Sequence, residues 1–369
     1  MIVTALDLRN FRSYERLQLS LGAGLVILTG PNGVGKTNCL ESIAFGLTGT
    51  SPRTAAELRC IRTGSSFSRI QVTCQSSTTV THTVVMEPPS GKRLTINDAT
   101  AVSAASMTDT TPVVTFLPER LLVIRGAPAR RRELLDRFIH RMNPSAHQIL
   151  AQYAKVLQNR NTLLRRARAG ADVTDAILPW TQQLAALGRD YRVFRDAAIT
   201  ALTPRFTARF EELTGMGGGE ITATRRGAED THQALADAWP DDIRRGSTTT
   251  GPHRDDIQLL QAHRDLRSHG STGEQRAALL AWSLATADLL QEQAGTSPIL
   301  LLDEPYAELD QSRRRRLTAA LQSFDQAILT TTEAPDHVQS LPDLQLFTVR
   351  SGAVEPWKTT SPHPQTPLN

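Results

Sequence analysis

A glycine-rich segment near the N-terminus carries the clearest chemical pattern in the sequence. It satisfies G-x-x-x-x-G-K-[ST], a pattern that cradles phosphate groups between a strand and a helix. The glycines let consecutive backbone N–H groups point into one concavity, and the N-terminus of the next helix adds positive potential. An ordinary strand-to-helix turn is the alternative, but a lysine in a glycine-lined turn has no packing purpose. The predicted nucleotide-binding residues are Gly30, Pro31, Asn32, Gly33, Val34, Gly35, Lys36, Thr37 and Asn38.

Two acidic residues, Asp303 and Glu304, directly follow an apolar stretch at residues 298–302. In open α/β sheets, ligands bind at the carboxyl ends of the strands. We therefore predict that Lys36 reaches the β- and γ-phosphates of ATP and that Thr37 and Asp303 hold Mg²⁺. Glu304 would be the catalytic residue that orients and deprotonates the attacking water. The alternative is that both acids are only solvated after the strand. The presence of the glycine-rich segment in the same chain disfavours this alternative.

A third segment, residues 271–275, reads Ser-Thr-Gly-Glu-Gln and precedes a helical pattern. A serine and a glycine at a helix start can face a phosphate, although alone they could be only an N-cap and a loop. The order of the three segments, followed by Ala-Glu-Leu-Asp at residues 307–310, is similar to that of the ATP-binding-cassette superfamily. This resemblance implies that the serine meets the γ-phosphate held by a second copy, so that two copies sandwich two ATP molecules. The further nucleotide-binding residues that it implies are Ser271, Gly273, Gln275 and Asp310.

The elements that must position these motifs belong to the α/β class. Short strands and one helix fill the N-terminal third, and a long helix with two buried strands returns after residue 273. The predicted strands next to the motifs cover residues 25–28, 299–302 and 327–329, a β-meander covers 72–86 and 93–96, and the predicted helices cover 38–47 and 273–293.

The middle third changes to helical spacing, over residues 130–153, 154–168 and 179–213. Apolar residues recur there at intervals of three and four, which indicates a buried stripe and not a site. The stripe consists of Leu134, Leu135, Phe138, Ile139 and Met142.

We therefore expect an ABC-type P-loop ATPase head, called lobe I, with an inserted, mainly helical lobe II. Residues 1–115 and 246–355 would form lobe I, the latter range carrying the segment at 271–275 and the acidic pair. Residues 116–245 would form lobe II, and the proline- and threonine-rich residues 356–369 a disordered tail.

Composition excludes several classes of protein. The 369 residues include 41 Lys plus Arg and 37 Asp plus Glu, a formal charge of +4, and 40% are hydrophobic, so a core of ordinary size is possible. The N-terminus alternates apolar and polar residues where a secretory signal needs an uninterrupted apolar region, and no apolar run is long enough to span a membrane. Three cysteines, Cys39, Cys60 and Cys74, lack metal-ligand spacing. We expect a cytoplasmic protein.

The spacing of the motifs narrows the resemblance. Lys36 and Asp303 are 267 residues apart (303 − 36), too far for a transporter cassette and far too close for the long arms of SMC proteins. Over residues 1–351 the chain resembles the RecF family of bacterial recombination mediators. The stretches that carry this resemblance are residues 8–14 (Leu-Arg-Asn-Phe-Arg-Ser-Tyr), 116–120, 126–136, 251–256 (Gly-Pro-His-Arg-Asp-Asp), 271–276 and 301–310.

The resemblance implies an ATP-dependent DNA-binding protein of recombinational gap repair and replication restart. Family members dimerise on ATP, bind double-stranded DNA near single-strand gaps, and assist RecO and RecR in loading RecA. Slow ATP hydrolysis, weak and stimulated by DNA, would reset the protein. Two positions depart from the broader cassette pattern: residues 101–130 contain no glutamine, and Thr-Thr-Thr-Glu at residues 330–333 occupies the place of the usual switch histidine.

DNA contact would depend on arginine, since four lysines stand against thirty-seven arginines (41 − 4). Arginine clusters can make bidentate phosphate contacts, which bind any sequence and weaken with salt. Each cluster alone is more often a solvated helix face than a DNA contact, and the arginine excess is equally compatible with coding composition. The clusters are Arg130–Arg132, Arg165 with Arg166 and Arg168, Arg225 with Arg226, Arg244 with Arg245, and Arg313–Arg316. His253 is interpreted as a hydrogen-bonded structural group.

Two other functions remain as alternatives. An SMC-like ATPase subunit of another DNA-processing or nuclease assembly would need an appended catalytic domain, and no metal-ligand cluster outside the ATP motifs suggests one. A P-loop kinase would make residues 271–275 and 307–310 coincidences.

Overall fold

The computed structural model describes residues 1–101, 103–117, 121–227 and 231–357. The chain divides into two compact units. The first unit contains residues 1–117 and the chain from residue 296 onward, and the second contains residues 118–295. The predicted tail lies, from residue 358, outside the described residues.

The first unit contains two six-stranded sheets. The first sheet is antiparallel, in the order β2-β1-β4-β5-β6-β7. Its strands are β1 Ile2–Phe11, β2 Tyr14–Ser20, β4 Ser68–Gln75, β5 Thr79–Glu87, β6 Gly91–Ile96 and β7 Ala99–Thr100. The meander predicted for residues 72–96 is therefore present as β4, β5 and β6, and the N-terminus alternates because it is a half-buried strand pair.

The second sheet carries the predicted motifs. Its order is β15-β14-β3-β13-β12-β8, parallel except for the edge strand β15. The strands are β3 Gly24–Thr29, β8 Val113–Phe116, β12 Ile299–Leu302, β13 Gln326–Thr331, β14 Gln345–Arg350 and β15 Ala353–Pro356. Helices α1 Lys36–Thr48, α2 Ala104–Thr110 and α11 Gln311–Leu321 complete the unit.

Helix α1 packs against strands of both sheets and forms the centre of the first core. Phe45 and Ile43 on α1 are fully buried, as is Val72 on β4. The helix approaches β4 closely at Gly46, where an added Cβ would lie 2.4 Å from the Val72 Cγ2 atom. This contact fixes the helix that begins at Lys36, and with it the orientation of the glycine-rich segment.

The second unit is mainly helical and contains a three-stranded sheet in the order β11-β10-β9. Its helices are α3 Leu121–Arg125, α4 Pro128–Met142, α5 Pro144–Arg168, α6 Thr174–Thr214, α7 Thr231–Asp237, α8 Trp239–Arg245, α9 Leu266–His269 and α10 Thr272–Ala294. Its strands are β9 Gly219–Thr224, β10 Asp256–Gln261 and β11 Arg264–Asp265.

The division of the chain differs from the predicted one at residues 246–295. We assigned this range to lobe I, but the structure places it in the second unit. Strand β10 pairs with β9, and α10 packs along α6. Arg209 on α6 makes a bidentate ion pair with Asp288 on α10, at 2.6 and 2.9 Å. Arg209 and Asp288 are 79 positions apart in the sequence. Local sequence patterns do not reveal contacts between such distant residues.

Helix boundaries also differ from the predicted spans. The range 130–153 breaks at Asn143, whose extended backbone is favoured before a proline. The Asn143 side chain then accepts a hydrogen bond from the Ser145 N–H at 3.1 Å and caps α5. Helix α6 begins at Thr174 and includes Pro179, where we had placed its start. Of the predicted stripe on α4, Leu135, Phe138 and Ile139 are buried, whereas Leu134 and Met142 are partly exposed.

A buried ion pair anchors α8 to α5. Arg160 and Asp242 have no exposed side-chain surface, and their Nη1 and Oδ2 atoms are 2.7 Å apart. The other oxygen of Asp242 accepts hydrogen bonds from the N–H and the hydroxyl of Thr249, both at 2.8 Å. The neighbouring Asp241 pairs with Arg244 in solvent, with half or more of each side chain exposed.

These two adjacent aspartates allow a matched stability test. We expect Asp242→Ala to lower the free energy of unfolding by about 3–5 kcal/mol, because it leaves the Arg160 charge buried without its partner. Asp241→Ala, the control, should cost less than about 1 kcal/mol, because exposed ion pairs contribute little. Urea unfolding monitored by circular dichroism measures both values. Equal costs would contradict the assigned role of the buried pair.

Candidate functional site

The glycine-rich segment joins β3 to α1 and adopts backbone conformations that other residues disfavour. Gly33 and Gly35 have φ angles of 82° and 112°, in the left-handed region. An added Cβ at Gly30 would lie 2.5 Å from the Val349 carbonyl oxygen. Gly35 is also the N-cap of α1 and offers no side chain to the first-turn N–H groups. Those groups are therefore available to an anion at a helix N-terminus.

The Lys36 side chain is almost fully buried against the segment that precedes it. Its Nζ atom donates hydrogen bonds to the carbonyl oxygens of Gly30, at 2.7 Å, and Pro31, at 3.1 Å. The same atom lies 3.0 Å from Oε1 of Glu304. The structure thus brings together the predicted phosphate-binding lysine and the predicted catalytic acid as an ion pair.

The predicted magnesium ligands also meet in the structure. The Thr37 hydroxyl lies 3.0 Å from both carboxylate oxygens of Asp303, and the Asp303 side chain is buried. Parallel strands explain the meeting: Leu302 at the end of β12 pairs with Leu329 on β13, and Leu28 on β3 pairs with Thr330. The carboxyl ends of three strands therefore share one edge of the sheet.

Thr330 is a site residue that the sequence reasoning did not identify. Its hydroxyl donates a hydrogen bond to Oδ1 of Asp303 at 2.6 Å and accepts one from the Glu304 N–H at 2.9 Å. A signal was present, because the threonine run at residues 330–332 begins at the end of β13, the strand next to β12. We noted this run only as the place of a missing histidine.

The turn between β1 and β2 supports the glycine-rich segment from behind. The Tyr14 hydroxyl donates to the Gly35 carbonyl oxygen at 3.1 Å, and Nδ2 of Asn38 donates to Oγ of Ser13 at 3.1 Å. Burial raises the pKa of Tyr14, so its hydroxyl stays a donor. Ser13 and Tyr14 belong to the stretch 8–14 that carries the family resemblance. Their contacts with the glycine-rich segment and with α1 give this stretch a structural function.

A buried carboxylate on α1 extends this support. Glu41 makes a bidentate contact with Arg12, at 2.7 and 3.1 Å, and a further contact with Arg53 at 3.3 Å. Two guanidinium groups thus surround one carboxylate directly behind the N-terminal turn of α1. The arrangement holds α1 to the β1–β2 turn.

The chemistry of the oxygen donors at this edge suits Mg²⁺. A threonine hydroxyl and a carboxylate are hard oxygen ligands, which this ion prefers together with phosphate oxygens. Within the described ranges, no three His, Cys, Asp or Glu side chains converge as a metal-binding group. Thr37 and Asp303 would therefore hold the ion together with oxygens of the nucleotide.

Ser271 caps the long helix α10 of the second unit. Its hydroxyl accepts a hydrogen bond from the Glu274 N–H at 3.3 Å, and Glu274 accepts one from the Ser271 N–H at 2.7 Å. This is a capping box, which aligns the first turn of the helix. Ser271 remains exposed at the tip, and Gly273 lies in the first turn beside it.

Gln275 is buried within the second unit, whereas we predicted that it contacts the nucleotide. It is only 4% exposed. Its Nε2 atom donates to the Leu266 carbonyl oxygen at 2.7 Å, and its Oε1 atom accepts from Nε of Arg125 at 2.6 Å. Arg125 also donates to the Thr272 hydroxyl at 2.7 Å. In this structure Gln275 therefore fastens α10 to α9 and α3.

Asp310, the last predicted nucleotide-binding residue, is the N-cap of α11. Its side chain accepts a hydrogen bond from the Arg313 N–H at 2.9 Å and is exposed. The acid thus begins the helix that carries Arg313–Arg316.

Comparison with known proteins places this geometry in a family. The family model described as RecF/RecN/SMC N terminal domain matches residues 2–352. The DNA replication and repair protein RecF of Heliobacterium modesticaldum is 35% identical over 347 residues, covering 90% of this chain and 92% of that protein. RecF of Moorella thermoacetica is 34% identical over 332 residues, covering 89% of each.

The chain belongs to the RecF family.

Solved structures agree on the fold. A structure of the recombination mediator protein RecF-ATPrS in the RecFOR pathway has a TM-score of 0.82 at 23% identity, covering 97% of this chain and 98% of that one. An Smc head bound to the C-winged helix domain of ScpA has a TM-score of 0.55 at 17% identity. The predicted ABC-type ATPase head is therefore confirmed as the fold class. Among the residues the structure describes, no helix combines the length and apolar character needed to cross a bilayer.

RecF-family stretches in the second unit form a network of buried ion pairs. Arg131 contacts both carboxylate oxygens of Asp256 at 2.8 Å, and Arg192 contacts both oxygens of Asp255 at 3.1 Å. Arg131 also donates to three carbonyl oxygens, at 2.8 to 3.2 Å. We predicted Arg131 as one of the candidate DNA-binding arginines, but its side chain is buried and paired with Asp256, so it is a structural residue. The sequence does not reveal this pairing, because the two residues are 125 positions apart. Residues 118–120 of the stretch 116–120 lie outside the described part of the chain.

His253 is the structural group that we expected. Its Nδ1 atom lies 2.7 Å from the Tyr153 hydroxyl, and its Nε2 atom lies 3.1 Å from the Thr248 carbonyl oxygen. A neutral ring satisfies both contacts by accepting at Nδ1 and donating at Nε2. Burial lowers the pKa of His253 to about 4.

The three cysteines are buried and form no disulfide. Burial raises the pKa of the Cys39 and Cys74 thiols to about 12 and that of the Cys60 thiol to about 11.

The lowered pKa of His253 predicts a pH dependence of stability. Below pH 6.5 the unfolded chain binds a proton on this ring that the folded chain does not bind until about pH 4. The contribution of His253 is therefore complete above pH 6.5 and is lost as the pH falls toward 4, by roughly 3 kcal/mol. We expect the free energy of unfolding of His253→Asn to fall less steeply over this range, as measured by urea unfolding at a series of pH values. Parallel curves would contradict the assignment.

Proposed function

We propose that this RecF-family chain is an ATP-switched DNA-binding protein of recombinational gap repair and replication restart. It would act in the cytoplasm, bind double-stranded and gapped DNA, and assist RecO and RecR in loading RecA. The proposal rests on one observation: Lys36, Thr37, Asp303 and Glu304 meet within hydrogen-bond distance at one sheet edge. The names of the similar proteins, which mention DNA repair, ATPrS and the RecFOR pathway, support this function.

ATP would bind with its phosphates on the glycine-rich segment. The first-turn N–H groups of α1 and the Lys36 ammonium would contact phosphate oxygens, displacing Glu304 from the lysine. Thr37 and Asp303 would hold Mg²⁺, which would supply neutralisation of charge on the phosphates. Glu304, once released, is placed to accept a proton from the attacking water.

Dimerisation would use the exposed tip of α10. The capping box keeps Ser271 at the helix N-terminus, where the N–H groups and the helix dipole favour negative charge. We infer that Ser271 and Gly273 of one copy meet the γ-phosphate bound by another copy, with Asp310 near the same junction. Gln275 would act in this contact by holding α10 in place.

Four variants test the nucleotide switch. Lys36→Ala is expected to abolish ATP-dependent dimerisation and DNA retention, because phosphate binding loses its cation. Glu304→Gln is expected to bind ATP and accumulate as the dimer, because it removes the base that hydrolysis needs and leaves Lys36 and the glycine-rich segment intact. Ser271→Arg should bind ATP as a monomer but not dimerise. Thr286→Val, at a hydroxyl that donates to the Trp282 carbonyl oxygen, is the control.

Analytical ultracentrifugation with and without ATP, in the presence of gapped DNA, measures these outcomes. A parent chain that stays monomeric with ATP at high protein concentration would contradict the dimer. Loss of monomer ATP binding in Ser271→Arg would place this serine in the pocket of its own subunit.

The structure also separates the arginine clusters that could contact DNA. Arg131 is buried, and Arg132 donates to the Asp255 carbonyl oxygen at 2.7 Å. Arg225 pairs with Asp196 at 2.6 Å. Five arginines are exposed at two neighbouring helix ends, and we call them the arginine patch, although Arg244 also forms the solvent-exposed pair with Asp241. The patch consists of Arg165, Arg166 and Arg168 at the end of α5 with Arg244 and Arg245 at the end of α8.

Contacts between the two helix ends show that the patch is continuous. Nη1 of Arg168 lies 3.5 Å from the Arg245 carbonyl oxygen. A Cβ added at Gly246, which ends α8, would lie 3.3 Å from Cδ of Arg168 and 3.5 Å from Cγ of Arg165. The carbonyl ends of two helices favour cations there. Five exposed arginines at two neighbouring helix ends are also suited to contact successive phosphates of a duplex.

Charge reversal in the patch is expected to weaken DNA binding. For Arg166→Glu combined with Arg245→Glu, the slope of log K against log salt should decrease by about 2, one for each lost phosphate contact. Arg137→Glu is the control, because this exposed arginine pairs with Glu133 on α4, outside the patch. Fluorescence anisotropy with a labelled duplex at several salt concentrations provides the measurement. An unchanged slope would exclude the patch from the DNA surface.

The alternatives fit the observations less well. An SMC-like ATPase subunit of another DNA-processing or nuclease assembly would be expected to resemble SMC heads more closely than RecF, but the TM-scores are 0.55 and 0.82. A P-loop kinase does not account for a match over residues 2–352 to the RecF/RecN/SMC model.

A further inference from the structure

The end of strand β13 presents a hydroxyl to both acids of the proposed ATP site. Thr330 is fully buried, one residue before the end of its strand. It pairs with Leu28 on β3, while its neighbour Leu329 pairs with Leu302 immediately before Asp303. Its position between the two motif-bearing strands is therefore fixed by the sheet and not by a loop.

The single hydroxyl of Thr330 makes two different hydrogen bonds. It donates its proton to Oδ1 of Asp303 at 2.6 Å and accepts the N–H of Glu304 at 2.9 Å. The first bond leaves the Asp303 carboxylate turned toward the Thr37 hydroxyl, which is 3.0 Å from both of its oxygens. The second bond acts on the backbone of the next residue.

The backbone at Glu304 needs such support. Its φ angle is 48°, in the left-handed region that residues with a Cβ rarely occupy. Non-glycine residues in this region persist only where surrounding contacts hold them, and they concentrate at functional sites. The bond from the Glu304 N–H to Thr330 is one such contact, and it determines the direction in which the Glu304 side chain leaves the strand.

We propose that Thr330 is a positioning residue that orients both Asp303 and Glu304 for ATP hydrolysis. The proposal rests on the ATP-binding function proposed above. Thr330 touches neither nucleotide nor water in this role. It acts through the carboxylate that would hold Mg²⁺ and through the backbone of the catalytic glutamate.

The test compares isosteric and conservative variants. Thr330→Val keeps the shape but removes the hydroxyl, and Thr330→Ser keeps the hydroxyl. Thr286→Val, the control, removes a buried hydroxyl on α10 that donates to the Trp282 carbonyl oxygen at 2.8 Å. For Thr330→Val we expect kcat to fall and the Mg²⁺ concentration at half-maximal rate to rise, each by about 10- to 100-fold, as for other groups that orient metal ligands. ATP affinity without Mg²⁺ should stay within about twofold, because Lys36 and the glycine-rich segment are intact.

The remaining variants separate positioning from stability. Thr330→Ser should recover most of the rate and of the Mg²⁺ response, and Thr286→Val should match the parent, with melting temperatures recorded for all four proteins. Parental kcat and Mg²⁺ response in Thr330→Val would overturn the proposal. A Thr330→Ser variant as impaired as Thr330→Val, at an unchanged melting temperature, would also overturn it. A parent chain that binds no ATP would overturn the proposed function and this inference together, whereas an active parent with an unimpaired Thr330→Val overturns this inference alone.

Discussion

Parallel pairing of β3, β13 and β12 is the constraint on which the first unit depends. These strands come from opposite ends of the chain, and their register sets Leu28 beside Thr330 and Leu329 beside Leu302. Because parallel strands end at the same edge, the lysine segment, the acidic pair and the threonine meet without any long loop. Helix α1 is held next to that edge by its close approach to β4 at Gly46, where there is no space for a larger side chain. The site is therefore a consequence of sheet register and of one tightly packed helix.

Charge pairing organises the second unit in a comparable way. Arg131, Arg192 and Arg195 each contact a carboxylate through two nitrogens, at distances of 2.8 to 3.1 Å. Replacing any one partner would leave a buried charge, so these pairs constrain the helices to one arrangement. The abundance of arginine in the sequence thus has two physical meanings. Some guanidinium groups are internal connections, and others remain at helix ends in contact with solvent.

The sequence predicted what depends on local patterns. Glycine spacing identified the segment at Gly30–Thr37, and the apolar run at residues 298–302 identified the strand that delivers Asp303. Periodicity predicted α1, α6 and α10 to within a few residues. It placed the boundary between α4 and α5 at residues 153–154, whereas the structure has it at Asn143, and it did not predict α7 and α8. Features that depend on distant partners were not predictable: the pairing of Lys36 with Glu304, the burial of Arg131 against Asp256, and the use of the Gln275 amide inside the second unit. The assignment of residues 246–295 failed for the same reason.

The ion pair between Lys36 and Glu304 has a consequence for turnover. The Glu304 carboxylate neutralises the Lys36 ammonium, so a triphosphate that binds this lysine would have to compete with the carboxylate. If the chain hydrolyses ATP as proposed, this competition also works in reverse, because the same carboxylate can return to the ammonium when inorganic phosphate starts to leave. One side chain would then lower the affinity of the pocket for ATP and assist the departure of inorganic phosphate.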